Sequence, residues 1–248
     1  MHPVEIRLNG ETLLLDASGA LYWPAEKALI FSDLHFEKAS SYARRGTFLP
    51  PYDTRETIAR MRAVIDRFLP SLVIALGDSF HDREAGDRLG DEEFDQLQTL
   101  AAGRDWIWIV GNHDPEIPAR LGGTIAEEVA LGGLSFRHEP ERSNAKGEVA
   151  GHFHPCATAV WRGRGLRRPC FVTDGERMIV PAFGSLTGGL DASEQPIASL
   201  FPRGFITYLL GARRVYAIGG TAGSHKLWRK NSDDSQPRNN ATTTADAP

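Results

Sequence analysis

Residues 72–78 read Leu-Val-Ile-Ala-Leu-Gly-Asp, five apolar residues that end at a glycine and an aspartate. A short apolar run that stops at turn residues is typical of a buried strand. Residues 28–33 and 106–114 repeat this pattern, and helices are predicted between the runs, over residues 53–68 and 91–102. Strand, loop and helix thus alternate through the first half of the chain, which predicts largely parallel strand pairing.

The helix predicted over residues 53–68 carries both an apolar face and a start signal. Its apolar residues recur at the helical spacing and are Ile58, Met61, Ile65 and Phe68. Asp53 and Glu56 have the spacing of a capping box, in which the side chain of the first residue caps the helix. The pattern therefore predicts that Asp53 caps this helix.

The sequence changes character after about residue 128. Short apolar segments flank turn residues within residues 129–136, 170–180 and 205–218, and each pair of segments is typical of a β-hairpin. The segment 4–15 contains a further hairpin signal, because its Asn-Gly pair suits a type I′ turn with positive φ at both central residues. We therefore expect an α/β protein, a mixed sandwich with a parallel, helix-bearing part and a hairpin-rich part.

The chain has 248 residues, with 28 lysines and arginines against 32 aspartates and glutamates and a net charge of -4. This length fits one domain, which we place at residues 1–229. Residues 230–248 have alanine as their only apolar residue type and are predicted to form a disordered tail. The mild acidity argues against a protein that coats nucleic acid, but not against a local cationic site.

Cysteine usage and the N-terminus bear on the compartment. Cys156 and Cys170 are too few for a disulfide framework or a cysteine-based zinc module. Glu5 and Arg7 interrupt the region where a signal peptide needs an apolar run. No stretch reaches the ~18 apolar residues of a membrane span. We therefore expect a cytoplasmic protein with reduced cysteines and no membrane association.

Polar side chains with metal-binding chemistry follow the predicted strands. They are Asp33, His35, Asp78, Asn112, His113, His138, His152 and His154. The oxygen and nitrogen atoms of Asp, Asn and His bind borderline and hard divalent cations. In an extended chain residues i and i+2 face the same way, so Asp33 and His35 are expected to address one point, and likewise His152 and His154. Ligands gathered at the carboxyl ends of several strands predict a metal site at that edge of the sheet.

Three glycines support this prediction. Gly77, Gly111 and Gly151 each precede a candidate ligand. Because glycine has no Cβ, it allows sharp backbone turns and close approach to a bound ion or anion. Each motif alone is weak, since an Asp-x-His or a His pair is common in capped turns and at strand ends. The co-occurrence of these motifs at separate strand ends gives them their weight.

At these residues the sequence resembles the calcineurin-like metallophosphoesterases. The shared motifs are Ser-Asp-Leu-His-Phe-Glu-Lys at residues 32–38, Leu-Gly-Asp-Ser-Phe-His-Asp at 76–82, Gly-Asn-His-Asp at 111–114 and Gly-His-Phe-His-Pro at 151–155. Phe-Leu-Pro-Pro-Tyr-Asp-Thr at residues 48–54 and Phe-Arg-His-Glu-Pro at 136–140 resemble more narrowly the ligase-associated DNA-damage-response endonucleases of bacteria. The resemblance runs from about residue 5 to residue 220.

The resemblance implies a four-layer α/β/β/α sandwich with mixed sheets and a two-metal centre. One metal would be held by Asp33, His35 and His154, and the other by Asn112, His138 and His152. Asp78 would bridge the two metals, and His113 would be the catalytic histidine that binds no metal. The mixed nitrogen and oxygen ligands suit manganese, iron, zinc or nickel, and the resemblance favours manganese. The superfamily often has Gly-Asp-x-x-Asp, whereas here Asp82 comes one position late and follows His81, so neither receives a role.

Arginines near these motifs suggest a polyanionic substrate. Four of them crowd a glycine-containing segment after the histidine pair: Arg162, Arg164, Arg167 and Arg168. We expect Arg164 and Arg167 to contact phosphates, Arg44 to do the same beside the first motif, and Trp161 or Phe153 to stack on a base. The alternative is a solvated hairpin loop with no ligand.

The sequence therefore predicts a two-metal phosphodiesterase or endonuclease that acts on nucleic acid in DNA repair. By resemblance, its functional partners would be a DNA ligase and a helicase or exonuclease. A phosphatase or cyclic-nucleotide phosphodiesterase with a small substrate is the alternative, because fold does not determine substrate. A non-catalytic scaffold on the same fold is the third hypothesis, against which the full ligand set and His113 argue.

Overall fold

A computed structural model describes residues 2–143, 145–161, 163–221 and 224–225. The predicted tail at residues 230–248, Arg162 and the side chain of Trp161 lie outside the described residues. Five α-helices occur in the part of the chain that the structure describes: α1 (Lys38–Arg44), α2 (Asp53–Phe68), α3 (Ala85–Arg88), α4 (Asp91–Ala101) and α5 (Gln195–Ala198). A short 3-10 helix spans Ala119–Leu121. None of the helices in the described ranges is long and apolar enough to cross a membrane.

The first sheet places its strands in chain order. Within the described residues its strands are β1 (Val4–Leu8), β2 (Glu11–Leu15), β3 (Leu21–Trp23), β4 (Ala28–Phe31), β5 (Leu72–Leu76), β6 (Asp105–Ile109) and β7 (Thr124–Ala126). Strands β1 to β4 pair antiparallel, and β4 to β7 pair parallel. The predicted parallel pairing of the first half and the N-terminal hairpin are thus confirmed, with φ of 48° at Asn9 and 90° at Gly10 in the turn.

The second sheet contains the predicted hairpins. Its described strands are β8 (Glu128–Leu131), β9 (Leu134–Arg137), β10 (Glu148–Ala150), β11 (Cys156–Trp161), β12 (Arg164–Thr173), β13 (Met178–Ile179), β14 (Phe205–Leu210), β15 (Val215–Thr221) and β16 (Ser224–His225). Their order across the sheet is β16-β15-β14-β12-β13-β10-β9-β8, and β11 pairs with β12. Strand β10 pairs parallel with both β9 and β13, so this sheet is mixed as well.

The two sheets pack face to face and share a core. Leu15, Ile30 and Ile74 of the first sheet lie in one buried cluster with Phe136 and Phe171 of the second. Successive side chains of a strand point to opposite faces, so Ile74 and its neighbours on β5 reach different layers. The apolar run 72–76 is explained by this burial on both faces.

Helices cover the outer face of the first sheet. Met61 of α2 and Leu97 of α4 pack with Val73, Trp106 and Trp108 in a second buried cluster. On the outer face of the second sheet the helical layer is thin, because α5 has four residues and the rest is loop. The predicted α/β/β/α sandwich with two mixed sheets is thus confirmed.

The start of α2 differs from the prediction in one respect. The helix begins at Asp53, but Tyr52 occupies the capping position, where no side-chain hydrogen bond caps the helix. The Asp53 carboxylate instead accepts a hydrogen bond from the backbone N–H of Ala39, at 3.0 Å. The predicted capping box is therefore wrong, because a tertiary contact with α1 takes the side chain that would cap the helix.

Candidate metal centre

Loops that follow five strands converge at one edge of the sandwich. Asp33 follows β4, Asp78 follows β5, and Asn112 and His113 follow β6. His138 directly follows β9, and the pair His152 and His154 follows β10. Because β4, β5 and β6 are parallel, their carboxyl ends meet, and the face-to-face packing brings the ends of β9 and β10 beside them. The structure thus brings together all eight residues that the sequence predicted for the centre.

The first group of candidate ligands consists of Asp33, His35 and His154, whose ligand atoms all lie within 4.8 Å of one another. Asp33 Oδ1 lies 3.2 Å from His154 Nε2, and His154 Nε2 lies 3.2 Å from His35 Nε2. The Nδ1 atom of His154 lies 3.2 Å from the carbonyl oxygen of Gly188. A proton on Nδ1 satisfies this carbonyl and leaves the Nε2 lone pair directed at the centre.

The second group consists of Asp78, His138 and His152, also within 4.8 Å of one another. Asn112 Oδ1 joins them, at 3.0 Å from His138 Nε2 and 3.0 Å from His152 Nδ1. The Nδ1 atom of His138 lies 2.9 Å from the carbonyl oxygen of Leu76, so its Nε2 is the nitrogen that faces the centre.

Asp78 lies between the two groups. Its Oδ1 is 3.4 Å from His138 Nε2, and its Oδ2 is 3.9 Å from His35 Nε2. Each carboxylate oxygen thus faces a different group. This geometry fits a carboxylate that bridges two cations.

The backbone turns sharply at the candidate ligands. Left-handed φ values between 46° and 69° occur at Asp33, His35, Asp78, His152 and His154. Non-glycine residues seldom adopt this conformation, and such strain concentrates at functional sites. Asp33 and His35 do meet at one point, but not because the chain is extended there. The expectation that His152 and His154 also address one point is wrong, because each belongs to a different ligand group. Tight left-handed turns, rather than strand alternation, direct these side chains to the centre.

The three glycines lie directly against side chains of the centre. A Cβ on Gly77 would lie 2.6 Å from the His138 ring, and one on Gly111 would lie 2.2 Å from Asp78 Oδ1. A Cβ on Gly151 would lie 2.7 Å from Asp33 Oδ2. Any side chain at these positions would push a candidate ligand away.

Buried charges set unusual proton affinities at the centre. Burial alone would raise the pKa of Asp78 and lower that of His138. Their mutual hydrogen bond and charge outweigh burial, so the pKa of Asp78 falls and that of His138 rises to about 9. A metal ion that binds His138 would displace the proton held there.

The donor set fits divalent metal ions. Two pairs of imidazole nitrogens face each other at 3.2 Å, one pair in each group, and only one proton can lie between the two atoms of a pair. Carboxylate oxygens of Asp33 and Asp78 lie beside them, both with pKa values below the usual range. Converging lone pairs and negative charges of nitrogen and oxygen ligands match a borderline divalent cation at each group.

His113 stands outside both groups. Its side chain is 42% exposed, and its Nε2 lies 4.0 Å from Asp78 Oδ2. Its backbone N–H donates a hydrogen bond to Asp78 Oδ1 at 2.9 Å, and its Nδ1 lies 2.8 Å from the carbonyl oxygen of His81. A proton on Nδ1 satisfies that carbonyl, so Nε2 is the nitrogen presented to the open side of the centre.

Sequence reasoning left His81 without a role, yet its ring lies at the centre. Its Nδ1 is 3.4 Å from His35 Nδ1, and its ring stacks on that of His113 at 5.3 Å between centroids. Burial, with the positive charge of Lys38 and the nearby His113, lowers the pKa of His81 to about 4. In the sequence, His81 stands three residues after Asp78, at the position of the second Asp in Gly-Asp-x-x-Asp, and this position could have indicated it. Asp82 has a different environment, because it pairs with Arg88 at 2.8 Å.

Asp114 is a second residue that the sequence analysis left unassigned. Its buried carboxylate accepts hydrogen bonds from the backbone N–H groups of Gly111 and Phe80, each at 3.0 Å. Burial is the main cause that raises its pKa to about 7. The side chain thus connects the loop that carries Asn112 to the loop that carries Asp78. In the sequence, the only indication of this residue was its place at the end of the Gly-Asn-His-Asp motif.

The structure separates the predicted substrate-binding arginines. Arg44 pairs with Glu84 on the surface. Arg167 lies beside the centre, where its Nη2 donates a hydrogen bond of 2.6 Å to the carbonyl oxygen of Gly189. Arg164 and Arg167 are three residues apart on β12, so their side chains leave opposite faces of the hairpin.

Comparison with known proteins places this geometry in a family. A family model for calcineurin-like phosphoesterases matches residues 27–163, more than half of the chain. The chain belongs to the calcineurin-like phosphoesterase family. This phosphoesterase is therefore a metal-dependent enzyme of the predicted superfamily, and its two ligand groups occupy the motifs that carried the resemblance.

A solved structure supports the same assignment. The phosphoesterase is similar to the crystal structure of the Pseudomonas putida nuclease MPE, with 32% sequence identity and a TM-score of 0.69. The match covers 88% of this chain and 100% of that chain. A comparison with curated proteins gives no significant match. The likeness to a nuclease agrees with the predicted branch of the superfamily.

Proposed function

We propose that this phosphoesterase hydrolyses phosphodiester bonds in nucleic acid, as an endonuclease that depends on two divalent metal ions. The observation that carries the proposal is the pair of ligand groups joined at Asp78, with the exposed His113 outside both. A non-catalytic binding scaffold would need neither the two ligand groups nor His113. The 32% identity to a nuclease over that protein's whole length supports nucleic acid as the substrate.

The proposed ligands form the two groups that the structure shows, one group for each metal. Asp33, His35 and His154 would hold one metal, Asn112, His138 and His152 would hold the other, and Asp78 would be shared by both. When bound, two such ions lower the pKa of a water molecule and neutralise phosphate oxygens. We take manganese as the metal because the family resemblance favours it.

His113 has the position of a general acid toward the leaving oxygen. The His81 carbonyl accepts the Nδ1 proton, so protonation of the ring places the second proton on the exposed Nε2. This Nε2 lies 4.0 Å from Asp78 Oδ2, on the exposed side of the centre. Nε2 can then donate its proton to the oxygen that departs from phosphorus.

The biological setting is part of the proposal. We infer a role in DNA repair in the cytoplasm, with a DNA ligase and a helicase or exonuclease as functional partners. The narrow resemblance of segments 48–54 and 136–140 to the ligase-associated endonucleases supports it.

A substrate panel tests the proposed function. The purified protein with Mn²⁺ is offered circular plasmid, single-stranded DNA, RNA, bis-p-nitrophenyl phosphate and p-nitrophenyl phosphate. An Asp78→Ala variant purified in parallel controls for contaminating nucleases. We expect cleavage of the polynucleotide and of the chromogenic diester. Hydrolysis of p-nitrophenyl phosphate alone would instead support the small-substrate phosphatase.

The position of Arg167 leads to a prediction about salt. Because Arg167 lies beside the centre, Arg167→Gln should weaken polynucleotide cleavage. On a plot of log activity against log salt concentration, the decline should become less steep by about one unit. It should leave hydrolysis of the small chromogenic diester nearly unchanged. Arg7→Gln, on the exposed face of strand β1, removes the same charge from the other sheet and serves as the matched control.

The hairpin prediction has two informative outcomes. Arg164→Gln, whose side chain leaves the opposite face, should change the salt slope less than Arg167→Gln does. Equal slopes for wild type, Arg164→Gln and Arg167→Gln would show that the hairpin is a solvated loop.

A further inference from the structure

An open cleft of about 480 Å³ lies directly beside the candidate metal centre. Two of its wall residues, His152 and His154, are candidate ligands, one from each group. Its volume falls in the range of ~300–1,000 Å³ that is typical of small-molecule sites. Whatever occupies the cleft therefore lies against the groups that act on the phosphate.

The remaining walls of the cleft are largely apolar. Phe153, Leu190 and Pro196 line it, together with the backbone of Gly188 and Gly189. The Phe153 ring is half-buried and packs edge-on to the His152 ring, with centroids 5.0 Å apart. An aromatic side chain fixed on two sides by the core and by a candidate ligand is a rigid stacking surface.

One edge of the cleft is cationic. The Arg167 guanidinium donates to the carbonyl oxygen of Gly189, a residue of the cleft wall. The cleft thus has an apolar interior and a positively charged rim, and it adjoins the proposed phosphate-hydrolysing centre. These features match a nucleobase and the phosphate that follows it in a polynucleotide. The flat base fits the apolar interior, and the phosphate of the neighbouring nucleotide fits the rim.

We propose that this cleft is a nucleobase subsite, in which the base next to the scissile phosphate stacks on Phe153. The proposal rests on the proposed function and names the part of the substrate that this surface recognises. Apart from the candidate ligands His152 and His154, the described walls present apolar groups and backbone rather than side chains that read base edges. The subsite therefore accepts any base, as stacking platforms for single strands do.

Gly188 offers a way to fill the cleft without disturbing the fold. A Cβ at Gly188 would meet no atom within 4 Å, and its φ is outside the left-handed region. Gly188→Val should therefore project methyl groups into the cleft. At Gly219, on strand β15, a Cβ also meets nothing within 4 Å, so Gly219→Val is the matched control outside the cleft.

The test compares cleavage of single-stranded oligothymidylate with cleavage of an equally long oligomer whose residues all lack a base. Because both oligomers carry the same charge, the ratio of their kcat/KM values measures the contribution of the base to cleavage. We expect wild type to favour the base-bearing oligomer by about 5- to 100-fold, the scale of stacking on one aromatic side chain. Phe153→Ala and Gly188→Val should bring the ratio near one, Phe153→Tyr should restore it, and Gly219→Val should keep the wild-type value.

A second measurement guards against loss of metal from the Phe153 variant. Binding of the two oligomers in EDTA, followed by fluorescence anisotropy, should show the same preference and the same losses. A wild-type ratio near one, or an unchanged ratio in both Phe153→Ala and Gly188→Val, would overturn the subsite while leaving the nuclease intact. If wild type cuts neither oligomer, the proposed function fails, and the subsite fails with it.

Discussion

Asp78→Ala is expected to empty both metal positions, or to make them labile, and to abolish diester hydrolysis. The carboxylate faces one ligand group with each oxygen, at 3.4 Å from His138 Nε2 and 3.9 Å from His35 Nε2. Its removal would take a negative charge from both metal positions at once and leave His138 Nε2 without the carboxylate beside it. The activity loss should exceed the ~10⁴-fold upper figure for a lost general acid.

Metal analysis of the purified protein is the direct measurement of this effect. Asp82→Ala is the matched control, because it also removes a carboxylate from this loop. The Asp82 carboxylate pairs with Arg88 and does not face the centre. The control should keep both metals. Two full metal equivalents in Asp78→Ala would contradict the bridging role.

His113→Ala is expected to keep both metals and the fold while reducing diester hydrolysis by about 10²- to 10⁴-fold. No coordination bond is lost, because the His113 ring lies outside both ligand groups and is 42% exposed. What is lost is the Nε2 proton for the leaving oxygen. The loss should therefore shrink for bis-p-nitrophenyl phosphate, whose leaving group needs little protonation, and be largest for an oligonucleotide.

Two results would change the account of His113. Loss of a metal in His113→Ala would make the residue a ligand and the site assignment wrong. Wild-type rates on every substrate would remove His113 from the chemistry. Kinetics on both substrates, with metal analysis on the same preparation, separates these cases from the expected one.

Local patterns predicted the elements of the fold. The apolar run at residues 72–76 forms β5, and the helix predicted over residues 53–68 is α2. Both predictions succeeded because burial in this fold follows the periodicity of apolar residues in the sequence. The capping box failed because Asp53 bonds to Ala39, fourteen positions away. A local rule cannot anticipate which distant backbone group competes for a side chain.

The composition of the centre was predictable, but its internal geometry was not. Residue type and position at strand ends, together with the family resemblance, located all eight residues. The left-handed turns at Asp33 and His154 were not foreseen, because they depend on how separate loops pack. His81 was missed for the same reason, since its ring reaches His35 and His113 only through the path of its loop.

We propose that two divalent metals held by this chain make it a nucleic-acid phosphodiesterase. Protein stripped of metal is titrated with Mn²⁺, and bound metal and cleavage of single-stranded DNA are measured on the same samples. The account predicts no cleavage in EDTA and activity that rises until two equivalents are bound. Cleavage without metal, or two bound equivalents without hydrolysis of any phosphoester, would contradict it.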